Sequence, residues 1–353
     1  MIGGGRWWGA IVHPTLLLVL LVSVRAEGAT LLRSPWDVAP RRVIAAAYSC
    51  PPLAPLPRDV VAADYYADPR HSEVDAARFA AYQAAQAPFT RVMQETARAA
   101  DTFQRIGSRA AARCVMDLLL AAARAGAMLG RVSSNQAVYL QGWTVGALAL
   151  AYLKARTAGT ADLGETAAIV RWLVDVAAFG VRYMDQRRAL PQATDGRNNH
   201  AAWMGLAVMA VGVANNDDVM FGWGEERFRD QAAQVAADGT LPLELARGAR
   251  ALHYHLFAAE PMLEMAVFGE ANGVDLFGVG DHALGRLIGA CLLGRSESGF
   301  FARLAGVAQE STGSAAFAWA WPFARRFPGT ALDEMGREAM FRPVLYLGGL
   351  PAQ

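Results

Sequence analysis

Two clusters hold the residue types from which proton-transfer chemistry is built. The first is Thr194, Asp195, Arg197, Asn198, Asn199 and His200, which opens an otherwise apolar stretch. Two amides and an imidazole exceed what a helix cap needs, since capping takes one side chain. A helix N-terminus also offers free N–H groups and partial positive charge to an anion such as a carboxylate. The second cluster runs from Glu244 through Arg247, Arg250, His253 and Tyr254 to His255. On a regular helix Tyr254 lies about 20° around the axis from Arg247, so a phenol and a guanidinium share one face. An exposed arginine face beside a half-buried tyrosine is the competing reading, and Gly248 and Pro242 break the regularity of the first half.

Other chemistries fit less well. His253 and His255 diverge by about 200° on a helix, and no third ligand stands nearby, so no metal site is expected. Glu260 and Glu264 have the spacing of a carboxylate pair for hydrolysis, although such pairs on one helix usually face solvent. Gly294–Gly299 lacks the spacing of a nucleophile elbow. Lys154, the only lysine, is the sole candidate for a Schiff base and sits in an ordinary helical stretch. Trp203, Trp223, Trp319 and Trp321 are candidate sugar platforms, with core packing as the simpler alternative.

The elements that must position these groups are helices. Alanine-rich stretches with apolar residues at three- and four-residue spacing predict helices over 76–104, 109–129, 135–156, 163–188, 200–214, 217–237, 255–271, 281–293 and 298–309. Asp217 and Asp281 read as N-caps, and Phe341 to Leu347 is the one plausible strand. The segment 201–214 is apolar on more than one face and needs cover on both sides. No fixed period is present, which argues against a tandem solenoid, and no linker divides the chain. The expected fold is all-α, one layered helical barrel.

Residues 1–26 read as a secretory signal, with Arg6 ahead of a short apolar run from Leu16 to Val24. The mature chain, 27–353, would then be a single domain in an oxidising compartment, with no membrane span. Of three cysteines, Cys50 in a proline-rich strap and Cys114 in a helix are the expected disulfide, leaving Cys291 as a buried hydrophobe. The strap continues through Tyr65 and Tyr66, adjacent aromatics that suggest a binding lid, with a surface strap packing its aromatics inward as the equal alternative. Thirty-three basic against 32 acidic residues give a formal charge of +1, which supplies no footprint for nucleic acid or an anionic membrane.

At the two clusters the chain resembles the periplasmic alginate lyases, specifically the mannuronate lyases of an (α/α) toroid polysaccharide lyase family. The resemblance rests on Asn198-Asn199-His200 followed by Trp203, on Asp217-Asp218 with Phe221 and Trp223, and on Asp238-Gly239-Thr240-Leu241-Pro242 running through Glu244, Arg247, Arg250 and Tyr254 to His255. Asn272 to Leu276 and Tyr346 to Gly349 extend it. It implies an incomplete (α/α) toroid with Asn199, His200, Arg247 and Tyr254 as the catalytic set. A lid near 60–75 would bring Tyr65 or Tyr66 over the cleft, and cysteines near Cys50 and Cys114 would be bonded. The chain departs from the family pattern at Ala201, Ala202 and Leu256, and it has Asp64 where some relatives place a lysine. These departures bear on substrate preference.

The resemblance implies β-elimination on a uronate polymer: removal of H5, loss of the C4 glycosidic oxygen, and a C4=C5 double bond. Asn199 and Arg247 would neutralise the C6 carboxylate, the task a metal performs in other lyases, so no cofactor is expected. Tyr254 would act as base and then acid, with His200 as neutralising helper. A phenol titrates at about 10, so this role calls for a shift toward 8, about 2.7 kcal/mol of help from Arg247 and His200. Arg70, Arg197, Arg247 and Arg250 are the expected cationic patch, and Asn198 and Trp203 would line the cleft. The expected partners are alginate and the polymer's export machinery. A glycoside hydrolase on a similar barrel, or a non-catalytic alginate-binding scaffold, are the alternatives.

Overall fold

A computed structural model describes Met1 and residues 31–38, 40–297, 299–328 and 342–351. The signal expected at 1–26 therefore lies, apart from Met1, outside the described residues. Those from Leu32 onward belong to one compact unit. Among them, eight helices have fifteen residues or more: α1 (Ala76–Ile106), α2 (Arg109–Arg124), α3 (Asn135–Ala155), α4 (Leu163–Ala189), α5 (Asn199–Asn215), α6 (Asp218–Ala232), α7 (Ala251–Ala271) and α8 (Val279–Ser296).

Neighbour relations sort these helices into two layers. Helices α1, α3, α5 and α7 pack each on the next, forming an inner row. Helices α2, α4, α6 and α8 lie outside it and cover it. This is the alternating arrangement of an (α/α) toroid. The sequence explains the sorting. Helices α3, α5 and α7 are buried almost around their whole circumference: α3 and α5 have a neighbour on both sides within the row, and the free side of α7 is covered by the short segments Pro35–Val38, Ser314–Ala320 and Trp321–Arg326. The outer α2 instead shows one buried stripe, from Ala111 and Ala112 through Val115 and Met116 to Leu119 and Leu120. Small residues set the approach distances: a Cβ on Gly224 of α6 would stand 2.6 Å from the Gly205 carbonyl oxygen of α5. Without that atom the two helices can touch along their backbones.

Side-chain caps fix the starts of most helices. Asp75, Ser108, Ser134 and Asp217 each accept a bond from a first-turn N–H, and Asp162 forms a reciprocal capping box with Glu165. Asp281 does not cap. Gly280, Asp281 and His282 adopt left-handed backbone at a kink, and the Asp281 carboxylate lies 3.8 Å from Arg286 instead. The stretch expected to be helical to 237 stops at Ala232, and the one expected from 298 to 309 spans Gly299–Ala305. Phe341 is outside the described residues. The rest of the expected strand holds a short 3₁₀ turn, Leu345–Leu347, closed by Gly348 in left-handed backbone. Only isolated bridges, and no extended strands, occur among the described residues. No described helix is long and apolar enough to cross a membrane.

The proline-rich strap runs across the loops that join the helices. Ile44 exchanges backbone bonds with Gly107 and Arg109, and Val60 does so with Arg131 and Ser133. Cys50 is bonded to Cys114 on α2. Cys291 is buried. At its end the strap doubles back on itself, with Ala67 bonded to Glu73 and Asp75 to Tyr65, and so presents the loop 64–75 over the inner helices.

Candidate active site

A cleft of about 620 Å³ opens between this loop and the ends of α3, α5 and α7. His200, Arg247 and Tyr254 all line it, so groups from two distant stretches of sequence meet in one place. Arg250, Asn198, Tyr65 and Tyr66 line it as well. Asn199, Arg70, Arg197 and Trp203 do not.

Asn199 is fully buried, and its side-chain nitrogen lies 3.0 Å from both carboxyl oxygens of Glu244. The Asn199 backbone N–H donates to the same carboxyl at 2.8 Å. The start of α5 thus does bind a carboxyl group, but one supplied by the chain itself. With its donors engaged by Glu244, Asn199 is turned away from the position of a direct donor to substrate. Arg247 Nε lies 3.8 Å from Glu244, which therefore links the asparagine to the arginine. Burial pushes the Glu244 carboxyl above its usual range, against the opposing pull of Arg247 and Asn199. Asn198 takes the cleft-facing position and caps the His200 N–H at 2.9 Å.

His200 lies flat against Tyr139, ring centroids 3.7 Å apart and 10° from parallel. The Tyr139 hydroxyl donates to Asp195, which also accepts from Tyr183 and Arg187. This network holds the ring on which the imidazole rests. Burial, reinforced by Arg247 and His71, holds His200 well below the ordinary histidine value, so it is neutral at physiological pH.

The expected i, i+7 helix does not connect Arg247 to Tyr254. Pro242–Leu245 is a single helical turn, Gly248–Arg250 is a 3₁₀ turn, and α7 begins only at Ala251. The two side chains still meet: the Arg247 guanidinium lies 4.4 Å from the centre of the Tyr254 ring, and that of Arg250 lies 5.3 Å from it. The Tyr254 hydroxyl is paired with that of Tyr66. Tyr66 also receives a bond from Arg250 and reaches the Tyr65 hydroxyl at 3.3 Å. The expected shift of Tyr254 toward 8 is reversed. Burial pushes the phenol up to about 12, Tyr65 adds to the rise, and the two arginines together with the Tyr66 bond do not offset it.

Arg197 is spent on the carbonyls of Pro191 and Ala193, at 2.5 and 3.4 Å, and Arg70 is exposed with its carbonyl facing Arg247. The cationic patch is therefore Arg247 and Arg250 alone. Trp203 lies in a second layer, its ring 5.0 Å from Phe257 and 5.7 Å from Tyr346. Trp223 stacks with Arg227, and Trp319 is buried, donating to Ala316. Glu260 and Glu264 are buried in α7 and do not line the cleft, contrary to the solvent face expected for them. His253 lines the cleft while His255 is buried, accepting from the Leu241 N–H at 2.8 Å.

Sequence reasoning gave no cleft role to His71, Tyr139, Trp143 or Tyr346, or any part to Glu244 in holding Arg247. Tyr346, within the family-like Tyr346-Leu347-Gly348-Gly349 run, had a signal and stacks on Trp143 at 5.1 Å. The others come from strap and helix positions that become neighbours only on folding.

Arginines, a phenol and a neutral imidazole in a cleft walled by aromatic rings define a site for an anionic sugar on an (α/α) toroid. The fold is similar to that of solved alginate lyase A1-III from Sphingomonas species A1, with TM-score 0.72, 22% identity and coverage of 86% of each chain. A tetrasaccharide complex of an alginate lyase A1-III variant gives TM-score 0.75 over 87% of this chain and 86% of that one, also at 22% identity. The alginate lyase family model matches residues 59–297. A polysaccharide lyase of Stenotrophomonas maltophilia is 36% identical over 264 residues, 74% of this chain and 77% of the relative. An alginate lyase of Azotobacter vinelandii is 34% identical over 251 residues, 69% of this chain and 66% of that enzyme. The chain belongs to the alginate lyase family.

Proposed function

We propose that this alginate lyase cuts polymannuronate, with Arg247 holding the C6 carboxylate, Tyr254 moving the proton and His200 as a neutral partner. The observation that carries this reading is the guanidinium of Arg247 lying over the Tyr254 ring in the cleft that His200 also lines. A uronate whose carboxylate pairs with Arg247 has its ring carbons next to the phenol. Charge leaving C5 as H5 is removed then spreads onto a carboxylate already neutralised by the guanidinium. In mannuronate H5 and O4 lie on one side of the ring. One phenol oxygen can take the first proton and return it to the second, and no net proton is consumed.

Asn199 enters this reading as a positioning residue that fixes Glu244, and through it Arg247. Tyr66 is assigned to a lid: it occupies the Tyr254 hydroxyl while the cleft is empty and gives way to the sugar. The aromatic floor of Trp143 and Tyr346 suits the apolar face of a pyranose. We assign action to the periplasm, beside the polymer's export machinery, on the strength of the signal-like Leu16–Val24 run.

The test is the ultraviolet absorbance of the C4=C5 double bond as purified protein acts on polymannuronate, polyguluronate and polyglucuronate. Fastest growth on polymannuronate is expected. Saturated ends would indicate hydrolysis, and retention of polymer without new ends would indicate a scaffold. Tyr254→Phe is expected to lower turnover by about 10²–10⁴-fold, the usual worth of a positioned acid–base group.

A further inference from the structure

The loop 64–75 brings one more group into the cleft. Its tip is a turn gathered around a single carboxylate: Asp68 accepts from the backbone N–H groups of Arg70, Ser72 and Glu73 and from the Ser72 hydroxyl. This turn holds His71 at φ 54, in the left-handed region that a histidine seldom occupies. The His71 Nδ1 lies 2.8 Å from a terminal nitrogen of Arg247. On the other side of the ring, Nε2 lies 3.5 Å from the Asp64 carboxylate.

Arginine has only donors, so Nδ1 must accept and the ring proton must sit on Nε2, facing Asp64. Asp64 thereby selects the tautomer that Arg247 requires. We propose that His71 is a positioning residue for the lyase reaction, delivered by the loop, whose bare Nδ1 orients the Arg247 guanidinium for the substrate carboxylate. This rests on the reading of Arg247 as the carboxylate-binding group. His71 itself touches no reacting atom.

The arrangement works only while His71 is neutral, because an imidazolium would place a second N–H against the guanidinium. The charged and titratable groups facing it are Arg247, His200, Asp64, Asp68 and Tyr66. Burial and Arg247 depress its protonation, and the two aspartates oppose them. The geometry therefore fails on the acid side of the ordinary histidine range.

The decisive comparison is His71→Ala against His71→Asn, in the full-length protein on polymannuronate, with Arg247→Ala as control. Asparagine tolerates left-handed backbone, and its Oδ1 stands as many bonds from Cβ as the histidine Nδ1 does. It is an acceptor that does not titrate. His71→Ala is expected to lower kcat/KM roughly tenfold or more, the loss of one charge-assisted hydrogen bond. His71→Asn should recover most of that and flatten the acid limb of kcat/KM against pH, with melting temperatures unchanged in both. Wild-type kinetics in His71→Ala, no recovery in His71→Asn, or an acid limb persisting in His71→Asn would each overturn the proposal. If Arg247→Ala keeps full activity, the carboxylate reading fails instead, and that outcome is separable from the rest.

Discussion

Tyr254 sits between opposing influences: burial favours the phenol, and two guanidiniums over its ring favour the phenolate. Burial prevails, so with the loop closed the resting group is neutral, pushed up to about 12. If the phenolate is the base, kcat/KM should climb by about one logarithmic unit per pH unit through the alkaline range, without a plateau near 8. A pH–rate profile that levels off near neutrality would remove the phenolate from the rate-limiting step. Residues 199 and 200 show how far sequence reasoning reaches at this scale. The asparagine–histidine pair marked the site, but successive helix positions point about 100° apart. One of the pair therefore faces the cleft and the other faces Glu244. Which one does which depends on where Glu244 lies in the fold. Asn199→Leu would strip a buried carboxyl of its side-chain amide donor, at about 1–3 kcal/mol of stability, with lower kcat/KM through a displaced Arg247. Thermal melting and kinetics of that variant check both effects together.

At the scale of the element, α7 carries Tyr254 on the cleft side and a set of buried ionisable groups along its length. Burial holds His253 and His255 near 4, and burial beside Glu264 pushes Glu260 up to about 8. Between pH 6.5 and 4 the unfolded chain binds protons on both histidines that the folded chain refuses, so stability falls on acidification. Between about 4.5 and 8 the folded chain keeps a proton on Glu260 that the unfolded chain releases, so stability falls as pH rises. His200 and His71 add to the acid-side loss, and Glu244, raised by burial, adds to the alkaline one. Melting temperature should therefore pass through a maximum, falling on the acid side through the histidines and on the alkaline side through the buried carboxyls. Glu260→Gln should lessen the alkaline decline, and an unchanged decline would place its cause elsewhere. The apolar residues on more than one face of α5 called for cover on both sides, and the structure gives it neighbours on both sides. The same logic was missed for Glu260 and Glu264: an inner helix has no solvent face to offer its carboxylates.

Across the whole molecule, segments remote in sequence hold the cleft in shape. The only lysine is a structural post. Lys154 is buried in α3, 3.0 Å from Asp101 on α1, and donates to the Gly348 carbonyl at 2.7 Å. It thereby ties the turn that carries Tyr346 to the inner layer. Lys154→Ala leaves Asp101 without its counter-charge, with the Leu350 N–H still donating to it, and should cost about 3 kcal/mol, read as a lower urea midpoint. A midpoint within error of the parent would deny the lysine that task. The all-helical class, the two-layer demand and the Cys50–Cys114 staple were legible from apolar spacing, caps and the proline-rich strap. The seat of the loop tip was not, because a left-handed histidine held by one aspartate leaves no periodic mark. The account as a whole stands on Arg247, His200 and Tyr254 working as one unit on a uronate. The most direct measurement is single-turnover formation of the unsaturated product from polymannuronate by the parent protein, Arg247→Ala and Tyr254→Phe. A rapid absorbance rise with the parent and losses of at least about 10²-fold with each variant are expected; near-parental turnover in either variant would contradict the account.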